Sequence, residues 1–262
     1  MLICPKCKNE LQCVDRHFTC AQHHCYDIAK RGYVNLLLSN QKAIGDDKEM
    51  IQARTRFLSH GYYEKLQQAL LQCIDTYQPN VMVDAGCGQG YYTNAFAKAN
   101  TQCTIYGFDL SKSGVDEACK AKTQVQYGVA NVFHLPIASN SIDVVTSIFT
   151  PFDWEEFARI LKTDAIFIKV GPGPKHLLDL KKVIYDEVYE NEEHCDDNVM
   201  FEKIDEQIVD YTICVEQAEN IWALFQMTPY YWKTSKEGSD CLKALASLQS
   251  EVQFKIEIYR KK

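Results

Sequence analysis

The sequence VMVDAGCGQGYYTNAFAKA at residues 81–99 decides the fold of this chain. It predicts a short apolar strand, a glycine-rich turn and a helix, in that order. Such a turn lets the backbone approach a ligand at the positive N-terminus of the helix. Its acidic and glycine residues are spaced Asp84-x-Gly86-x-Gly88-x-Gly90. Tyr91 stands where a dinucleotide-binding turn needs its third glycine, and the Gly-Lys-Ser/Thr of a phosphate-binding P-loop is missing.

Short apolar runs and helical patterns alternate after Pro79, and they predict an α/β fold with a mostly parallel sheet covered by helices on both faces. The predicted strands span 81–85, 104–110, 125–130, 142–149, 165–170, 208–215 and 252–261. Apolar residues recur at helical spacing from residue 50 to 77, and the helices predicted after Pro79 span about 91–99, 112–121, 154–162, 174–190 and 218–227. Because no crossover helix follows the seventh strand, that strand is free to pair antiparallel.

A second acidic residue strengthens the hypothesis of a nucleoside site. Asp109 ends the next predicted strand, 19 residues past Gly90, where a carboxylate accepts hydrogen bonds from both ribose hydroxyls. The glycine turn and this carboxylate together resemble the first motifs of class I S-adenosylmethionine-dependent methyltransferases. In those enzymes the acid equivalent to Asp84 lies near the methionine moiety. The alternatives are a tight turn without a ligand and, for Asp84, a side chain that only stabilises the turn.

The first 25 residues carry the spacing of a zinc knuckle. Cys4-Pro-Lys-Cys7 is followed 13 residues later by Cys20, and the fourth ligand has to come from residues 23–25. By spacing alone, His24 and Cys25 are about equally suitable as the fourth ligand, and His23 is slightly less suitable. Four protein ligands complete a tetrahedral site, so the zinc is expected to be structural. A redox-active CxxC pair is the alternative, but it does not require Cys20.

Composition and charge place the chain among soluble globular proteins. The 262 residues are 46% hydrophobic, and we find no signal-peptide pattern and no apolar run long enough to span a membrane. We therefore expect a cytoplasmic protein without membrane contact, whose cysteines are reduced. The cysteines outside the knuckle and the glycine turn are predicted to be small core residues: Cys73, Cys103, Cys119, Cys195, Cys214 and Cys241.

The charge is distributed unevenly along the chain. The net charge is −7, yet residues 1–60 contain nine Lys/Arg against six Asp/Glu. The basic end is expected to contact an anionic partner through Lys6, Lys8, Lys30 and Arg31, unless these residues only cover solvated faces. The predicted domains are a zinc-binding segment at 1–35, a linker with the start of a connecting helix at 36–60, and a catalytic domain at 61–262.

Several longer motifs together resemble one enzyme family. They are the knuckle, YDIAKRGYVNLL (26–37), EMIQARTRFLSHGYY (49–63), DAGCGQGYYT (84–93), GPGPKHLLDLKKVIYDEV (171–188) and QMTPYYW (226–232). The chain closely resembles the bacterial 23S ribosomal RNA guanine-N1-methyltransferases over nearly its whole length. The resemblance implies a class I, Rossmann-like methyltransferase domain behind a small N-terminal zinc-binding domain, and it implies a homodimer.

The resemblance also implies site residues and a substrate. The zinc ligands fall on Cys4, Cys7, Cys20 and His24, and cofactor contacts fall on Tyr63, Gly88, Gln89 and His176. With the residues argued from the glycine turn, the candidate S-adenosylmethionine site comprises Tyr63, Asp84, Gly86, Gly88, Gln89, Gly90, Asp109 and His176. The implied substrate is a guanine in a hairpin loop of 23S rRNA domain II.

The acceptor chemistry leaves the general base open. Guanine N1 carries a proton at neutral pH, and this proton has to leave before or during attack. Asp153 follows the fourth predicted strand and is a candidate base by location, although a helix N-cap is the alternative. The aromatic residues available to stack a flipped base are Tyr91, Tyr92, Phe152 and Trp154. Two other functions stay open, methylation of a small molecule and RNA binding without catalysis.

Overall fold

Two β-sheets organise the chain in the computed structural model, which describes residues 1–38, 46–192 and 198–262. The strands are β1 Gln12–Val14, β2 His17–Thr19, β3 Cys25–Asp27, β4 Val34–Asn35, β5 Val81–Ala85, β6 Thr104–Asp109, β7 Val125–Val129, β8 Ile142–Ile148, β9 Leu161–Pro172, β10 Phe201–Glu216 and β11 Ser247–Lys261. The α-helices are α1 Lys48–Ser59, α2 Glu64–Tyr77, α3 Tyr91–Ala99, α4 Lys112–Ala118, α5 Trp154–Ile160, α6 Leu178–Ile184, α7 Ala218–Gln226 and α8 Lys236–Lys243. Short 3-10 turns lie at Cys119–Ala121 and Pro229–Trp232.

The larger sheet has the order β10-β11-β9-β8-β5-β6-β7-β4. Strands β4 to β9 pair in parallel, whereas β11 is antiparallel to both of its neighbours. The chain runs outward from β5 through β6 and β7 and then returns to β8 on the other side of β5. This reversal places a crevice at the carboxyl ends of β5 and β8, where ligands bind in open α/β sheets.

The predicted α/β class and the antiparallel last strand are confirmed, but the strand count differs. The sheet has eight strands because the two-residue strand β4 pairs with β7 at its edge. Two residues are too few to produce a hydropathy pattern. Strand β5 is buried along its whole length, since helices cover both faces of the sheet at its centre.

Two predicted helices have different limits in the structure. The helical pattern from residue 50 to 77 is divided by a turn at His60–Tyr63 that contains Gly61 at φ 78°. The helix predicted at 174–190 is limited to Leu178–Ile184, because Leu177 adopts a left-handed conformation and Tyr185 an extended one. Both breaks depend on backbone angles that apolar periodicity does not encode.

The smaller sheet consists of β1, β2 and β3, and it packs against the larger one. Leu2 forms an antiparallel bridge with Ile137, and Leu11 and Phe18 belong to one apolar cluster with Phe108. In the predicted linker, residues 39–45 lie outside the described residues, and α1 packs against α7. The domain limits at 35 and 60 stay predictions.

The scattered cysteines only partly follow the prediction. Cys73 is buried, and Cys103 and Cys119 are half-buried. Cys214 and Cys241 are exposed, so the prediction of core positions is wrong for these two. Alternate residues near the C-terminal end of the long strand β10 are exposed, including Cys214, and Cys241 is exposed on α8. Cys195 lies outside the described residues. In the described part of the chain, the helices are not long and apolar enough to cross a membrane.

Candidate functional site

The glycine turn follows β5 and leads directly into α3. Gly86 and Gly90 have φ values of 83° and 78°, which side chains with a Cβ rarely adopt. A Cβ on Gly90 would lie 2.6 Å from Nδ2 of Asn94 and 2.8 Å from Cβ of Ala118. Glycine is therefore required here by both the backbone angle and the packing, and the turn leaves an open cradle at the N-terminus of α3.

Asp84 lies buried beneath the turn. Its carboxylate accepts hydrogen bonds from the hydroxyls of Thr93 and Thr146, the latter at 2.7 Å. Burial raises the pKa of Asp84 from 3.8 to about 6. The carboxylate is therefore mostly ionised at neutral pH, at an energetic cost, and it favours a cationic ligand group nearby.

Asp109 joins the turn to the end of β6. Its Oδ2 accepts a hydrogen bond from the Gly88 amide at 2.9 Å, and its Oδ1 accepts one from the Ser111 amide at 2.7 Å. Burial raises the pKa of Asp109 above its ordinary value. The carboxylate thus fixes the glycine turn and still has lone pairs for hydroxyl donors.

One cavity of about 510 Å³ opens at the carboxyl ends of β5, β6 and β8. Seven of the eight predicted cofactor residues line it: Tyr63, Asp84, Gly86, Gly88, Gln89, Asp109 and His176. The eighth, Gly90, is the N-cap of α3 behind the turn. The structure therefore brings together residues that are up to 113 positions apart in the sequence.

Tyr63 and His176 meet in the buried wall of this cavity. The Tyr63 hydroxyl lies 3.5 Å from Nε2 of His176, and both rings pack against Phe254. The Gln253 amide donates to Nδ1 of His176 at 3.3 Å, which places the proton of the neutral ring on Nε2. Burial lowers the pKa of His176 to about 4. At neutral pH His176 is therefore an uncharged hydrogen-bond donor at Nε2.

The predicted zinc ligands converge at the N-terminal end of the chain. One ligand atom from each of Cys4, Cys7, Cys20 and His24 lies within 4.8 Å of the others. Individual separations are 3.5 Å between the sulfurs of Cys7 and Cys20 and 3.4 Å from Cys4 to Nδ1 of His24. These separations are roughly those between ligands of a tetrahedral zinc with bonds of about 2.0–2.3 Å. Cys25 is exposed and outside this cluster, so the structure favours His24 as the fourth ligand.

Comparison with known proteins finds matches for both parts of the chain. Residues 83–168 match the family model "Methyltransferase domain", and residues 2–43 match the model "RlmA, N-terminal", a zinc ribbon. A crystal structure of a "putative methyltransferase" from Bacillus halodurans superimposes with a TM-score of 0.51 at 17% identity, over 74% of this chain and 97% of that one. This likeness confirms the class I methyltransferase fold.

Two curated relatives decide the family. "Putative 23S rRNA (guanine-N(1)-)-methyltransferase YxjB" of Bacillus subtilis is 29% identical over 98% of this chain and 96% of its own length. A "Putative 23S rRNA (guanine-N(1)-)-methyltransferase" of Micromonospora griseorubida is 31% identical over 68% of each chain. The chain belongs to the 23S rRNA (guanine-N1-)-methyltransferase family. It is an S-adenosylmethionine-dependent methyltransferase with a structural zinc ion.

The residues of this chain fit both the zinc ion and S-adenosylmethionine. Three thiols and an imidazole form the closed donor set that structural zinc prefers, and they are the only such cluster in the described residues. At the cofactor cavity, Nε2 of Gln89 and the hydroxyl of Tyr92 are buried without a hydrogen-bond partner. Unpaired buried donors beside a glycine cradle indicate that a polar ligand completes the site.

Asp153 occupies a different place from the one predicted for a base. It is the N-cap of α5, where its carboxylate accepts a hydrogen bond from the Glu155 amide at 2.8 Å. It is not among the described residues that line the cavity. Of the predicted stacking residues, Tyr91 and Tyr92 line the cavity, whereas Phe152 and Trp154 pack with Phe167 in the core.

Three further residues line the cavity, namely Phe149, Asn191 and Tyr230. The sequence patterns indicated no site role for any of them. Phe149 follows β8 with φ 56°, and its apolar character made it look like a continuing strand. Tyr230 belongs to the quoted motif QMTPYYW, which was the one available signal for this part of the cavity lining.

Proposed function

We propose that this enzyme methylates N1 of a guanine in a hairpin loop of 23S rRNA domain II, with S-adenosylmethionine as methyl donor. The observation that carries the proposal is a single cavity with a mixed lining. The glycine turn, Asp84 and Asp109 line it together with the aromatic residues Phe149 and Tyr230. The names of the curated relatives support guanine N1 and 23S rRNA as target atom and substrate.

The aromatic residues of the cavity lining suit a flipped base. Phe149 lines the cavity, and 43% of its surface is exposed, while Phe133 lines it with 38% exposed. Phe149 also has a positive φ of 56°. This backbone conformation costs a non-glycine residue about 1–3 kcal/mol, and such strain is concentrated at functional sites. Guanines in RNA loops are read by turning the base out and stacking it on an aromatic ring. We assign that stacking role to Phe149.

The enzyme's residues mainly position the two reactants. When bound, S-adenosylmethionine supplies a methyl group on a sulfonium, which is an excellent leaving group, so alignment gives most of the acceleration. Guanine N1 would receive this methyl group and give up its proton. His176 does not take this proton at Nε2, because that nitrogen is already protonated and burial lowers the pKa of the ring to about 4.

The cofactor contacts stay assigned as predicted. We propose that Asp109 binds the ribose hydroxyls, that Asp84 faces the cationic methionine end, and that Tyr63 and His176 close the buried wall. Gly86, Gly88, Gln89 and Gly90 form the cradle. We do not assign the general base to Asp153, since its carboxylate already caps α5.

The zinc-binding segment is proposed to dock the RNA. Lys6, Lys8 and Lys30 are exposed on it, and the described ion pairs do not include them. Arg31 is partly neutralised by Asp116 at 2.9 Å. Lysine contacts to phosphates set the position of an RNA without reading its sequence. The homodimer implied by the resemblance stays a prediction.

Primer extension on 23S rRNA tests the proposal. A strain with the gene deleted is expected to lose one stop at a domain II guanine, and the wild-type gene is expected to restore it. A gene carrying Gly90→Val should fail to restore it, because any Cβ at this position collides with Asn94 and Ala118. Zinc content and thermal unfolding of the purified variant check that it folds. A stop that persists in the deletion strain would contradict the proposal, and mass spectrometry of the nucleosides would confirm 1-methylguanosine.

A further inference from the structure

The charges that line the cofactor cavity are unbalanced. Asp46, Asp84 and Asp109 contribute carboxylates. Arg54 is the one cationic side chain among the described lining residues, since burial keeps His176 neutral. S-adenosylmethionine carries positive sulfonium and ammonium groups, which suit the carboxylates, and a single anionic group, the α-carboxylate of its methionine. That carboxylate needs a cation in a cavity that otherwise repels it.

Arg54 is placed to supply this cation. It lies on α1, and its Nη1 is 3.7 Å from the position that a Cβ on Gly88 would occupy. The same Nη1 forms an ion pair with Asp46, whose backbone carbonyl accepts a hydrogen bond from the Ser111 hydroxyl at 2.7 Å. Within the described part of the chain, Nε and Nη2 of Arg54 have no protein acceptor. The guanidinium is thus held over the glycine turn, and its Nε and Nη2 can still donate hydrogen bonds to a ligand.

Two further donors in the same cavity lack partners. Nε2 of Gln89 and the hydroxyl of Tyr92 are buried and make no hydrogen bond in the structure. A buried donor without a partner costs roughly 1–3 kcal/mol, so a native protein retains it where a ligand supplies the acceptor. Both atoms belong to residues that flank the start of α3, the positive end of that helix. Donor chemistry and helix polarity therefore both favour an anionic ligand group.

We propose that Arg54 binds the α-carboxylate of S-adenosylmethionine, with Gln89 and Tyr92 as the accompanying donors. The planar guanidinium matches a carboxylate with two parallel hydrogen bonds, a geometry that a lysine does not provide. Asp46 orients the guanidinium, and Arg54 is shared between Asp46 and the ligand. The proposal concerns only the cofactor, so it does not depend on which RNA is methylated.

Isothermal titration calorimetry with two ligands tests this assignment. The ligands are S-adenosylmethionine and decarboxylated S-adenosylmethionine, which lacks only the α-carboxylate. The wild-type protein is expected to bind the complete cofactor at least about 10-fold more tightly, as a charge-assisted pair predicts. In Arg54→Met this preference should vanish, because affinity falls for S-adenosylmethionine and stays unchanged for the decarboxylated ligand. Arg54→Lys should retain part of the preference.

Arg56→Met is the matched control. Arg56 lies on the same helix, but its Nε donates to Oδ1 of Asn220 at 2.7 Å, away from the cavity. Its replacement tests for loosened packing of α1, and it should leave the preference between the two ligands at the wild-type value. Equal weakening of both ligands by Arg54→Met, or a preference that survives this change, would overturn the proposal. Thermal unfolding of each zinc-loaded variant confirms that it is folded.

Discussion

The zinc-binding segment and the sheet that holds the cofactor cavity keep their shapes by different means. Strands β1, β2 and β3 have three residues each, and Phe18 is the one buried residue in them. By contrast, all five residues of β5 are buried, in a core built from both faces of the larger sheet. The small segment depends on four bonds to a metal, whereas the large domain distributes its stability over many apolar contacts.

This difference explains where each region can carry polar groups. The zinc-binding segment buries little apolar surface. Losing one zinc ligand therefore removes most of its folding free energy. The large core can bury Asp84 with only two hydroxyl partners and remain folded. The cost of that burial is offset by the surrounding core, and the carboxylate is available for a cationic ligand.

Removal of one zinc ligand is expected to have the largest effect. Cys4→Ser should abolish stoichiometric zinc binding, because structural zinc contributes about 10–16 kcal/mol to such segments. Hydrogen exchange should then show loss of protection in residues 2–36, while β5 and β8 keep theirs. Cys13→Ser, at an exposed cysteine outside the cluster, should retain zinc. Loss of zinc in Cys25→Ser would contradict the assignment of His24.

Features with a local cause could be predicted from the sequence. The glycine turn, the strands around it and the knuckle spacing each depend on neighbouring residues, and the structure confirms them. Even the choice between His24 and Cys25 needed more than spacing, since both can be reached by the chain. The structure resolves it because His23 adopts φ 58°, after which His24 lies in the cluster and Cys25 is exposed on β3.

Features with a tertiary cause could not be derived from local patterns. Tyr63 and His176 were named only through the family resemblance, because their contact is set by how α2 and the loop after β9 pack on Phe254. The position of Phe149 depends on a left-handed backbone angle at the end of β8. Asp153 had two candidate roles by its sequence position, and the N-cap was favoured over the general base; in the structure its carboxylate accepts a hydrogen bond from the Glu155 amide.

Asp84→Asn is expected to have an intermediate effect that depends on pH. The pKa of Asp84 in the folded state is about 6, above its ordinary 3.8, so the folded state binds this proton more tightly than the unfolded state does. Its contribution to stability is therefore present at low pH and is lost as pH rises to about 6. Between pH 5 and pH 7.5 the wild-type protein should lose about 1.4 kcal/mol from this group, and the variant should not.

Urea denaturation of the zinc-loaded proteins at both pH values measures this difference. Asp143→Asn is the control: the Lys162 and Val81 hydrogen bonds outweigh burial and lower the pKa of Asp143, so it stays ionised in both states across this range. Its pH dependence should match that of the wild type. If the free energy of unfolding changed equally with pH in the wild type and in Asp84→Asn, the large core would not hold Asp84 at an energetic cost.

The smallest expected effect is that of Asp153→Ala, which tests a single cap on the large domain. Loss of an N-cap side chain costs about 1 kcal/mol, so urea denaturation should show a decrease of that size. Asp153→Asn should restore the stability, because asparagine also accepts a hydrogen bond from the Glu155 amide. Both variants should transfer methyl groups to 23S rRNA at the wild-type single-turnover rate. A stable Asp153→Asn protein that is about 100-fold slower would instead identify Asp153 as the general base, because amides do not accept the N1 proton.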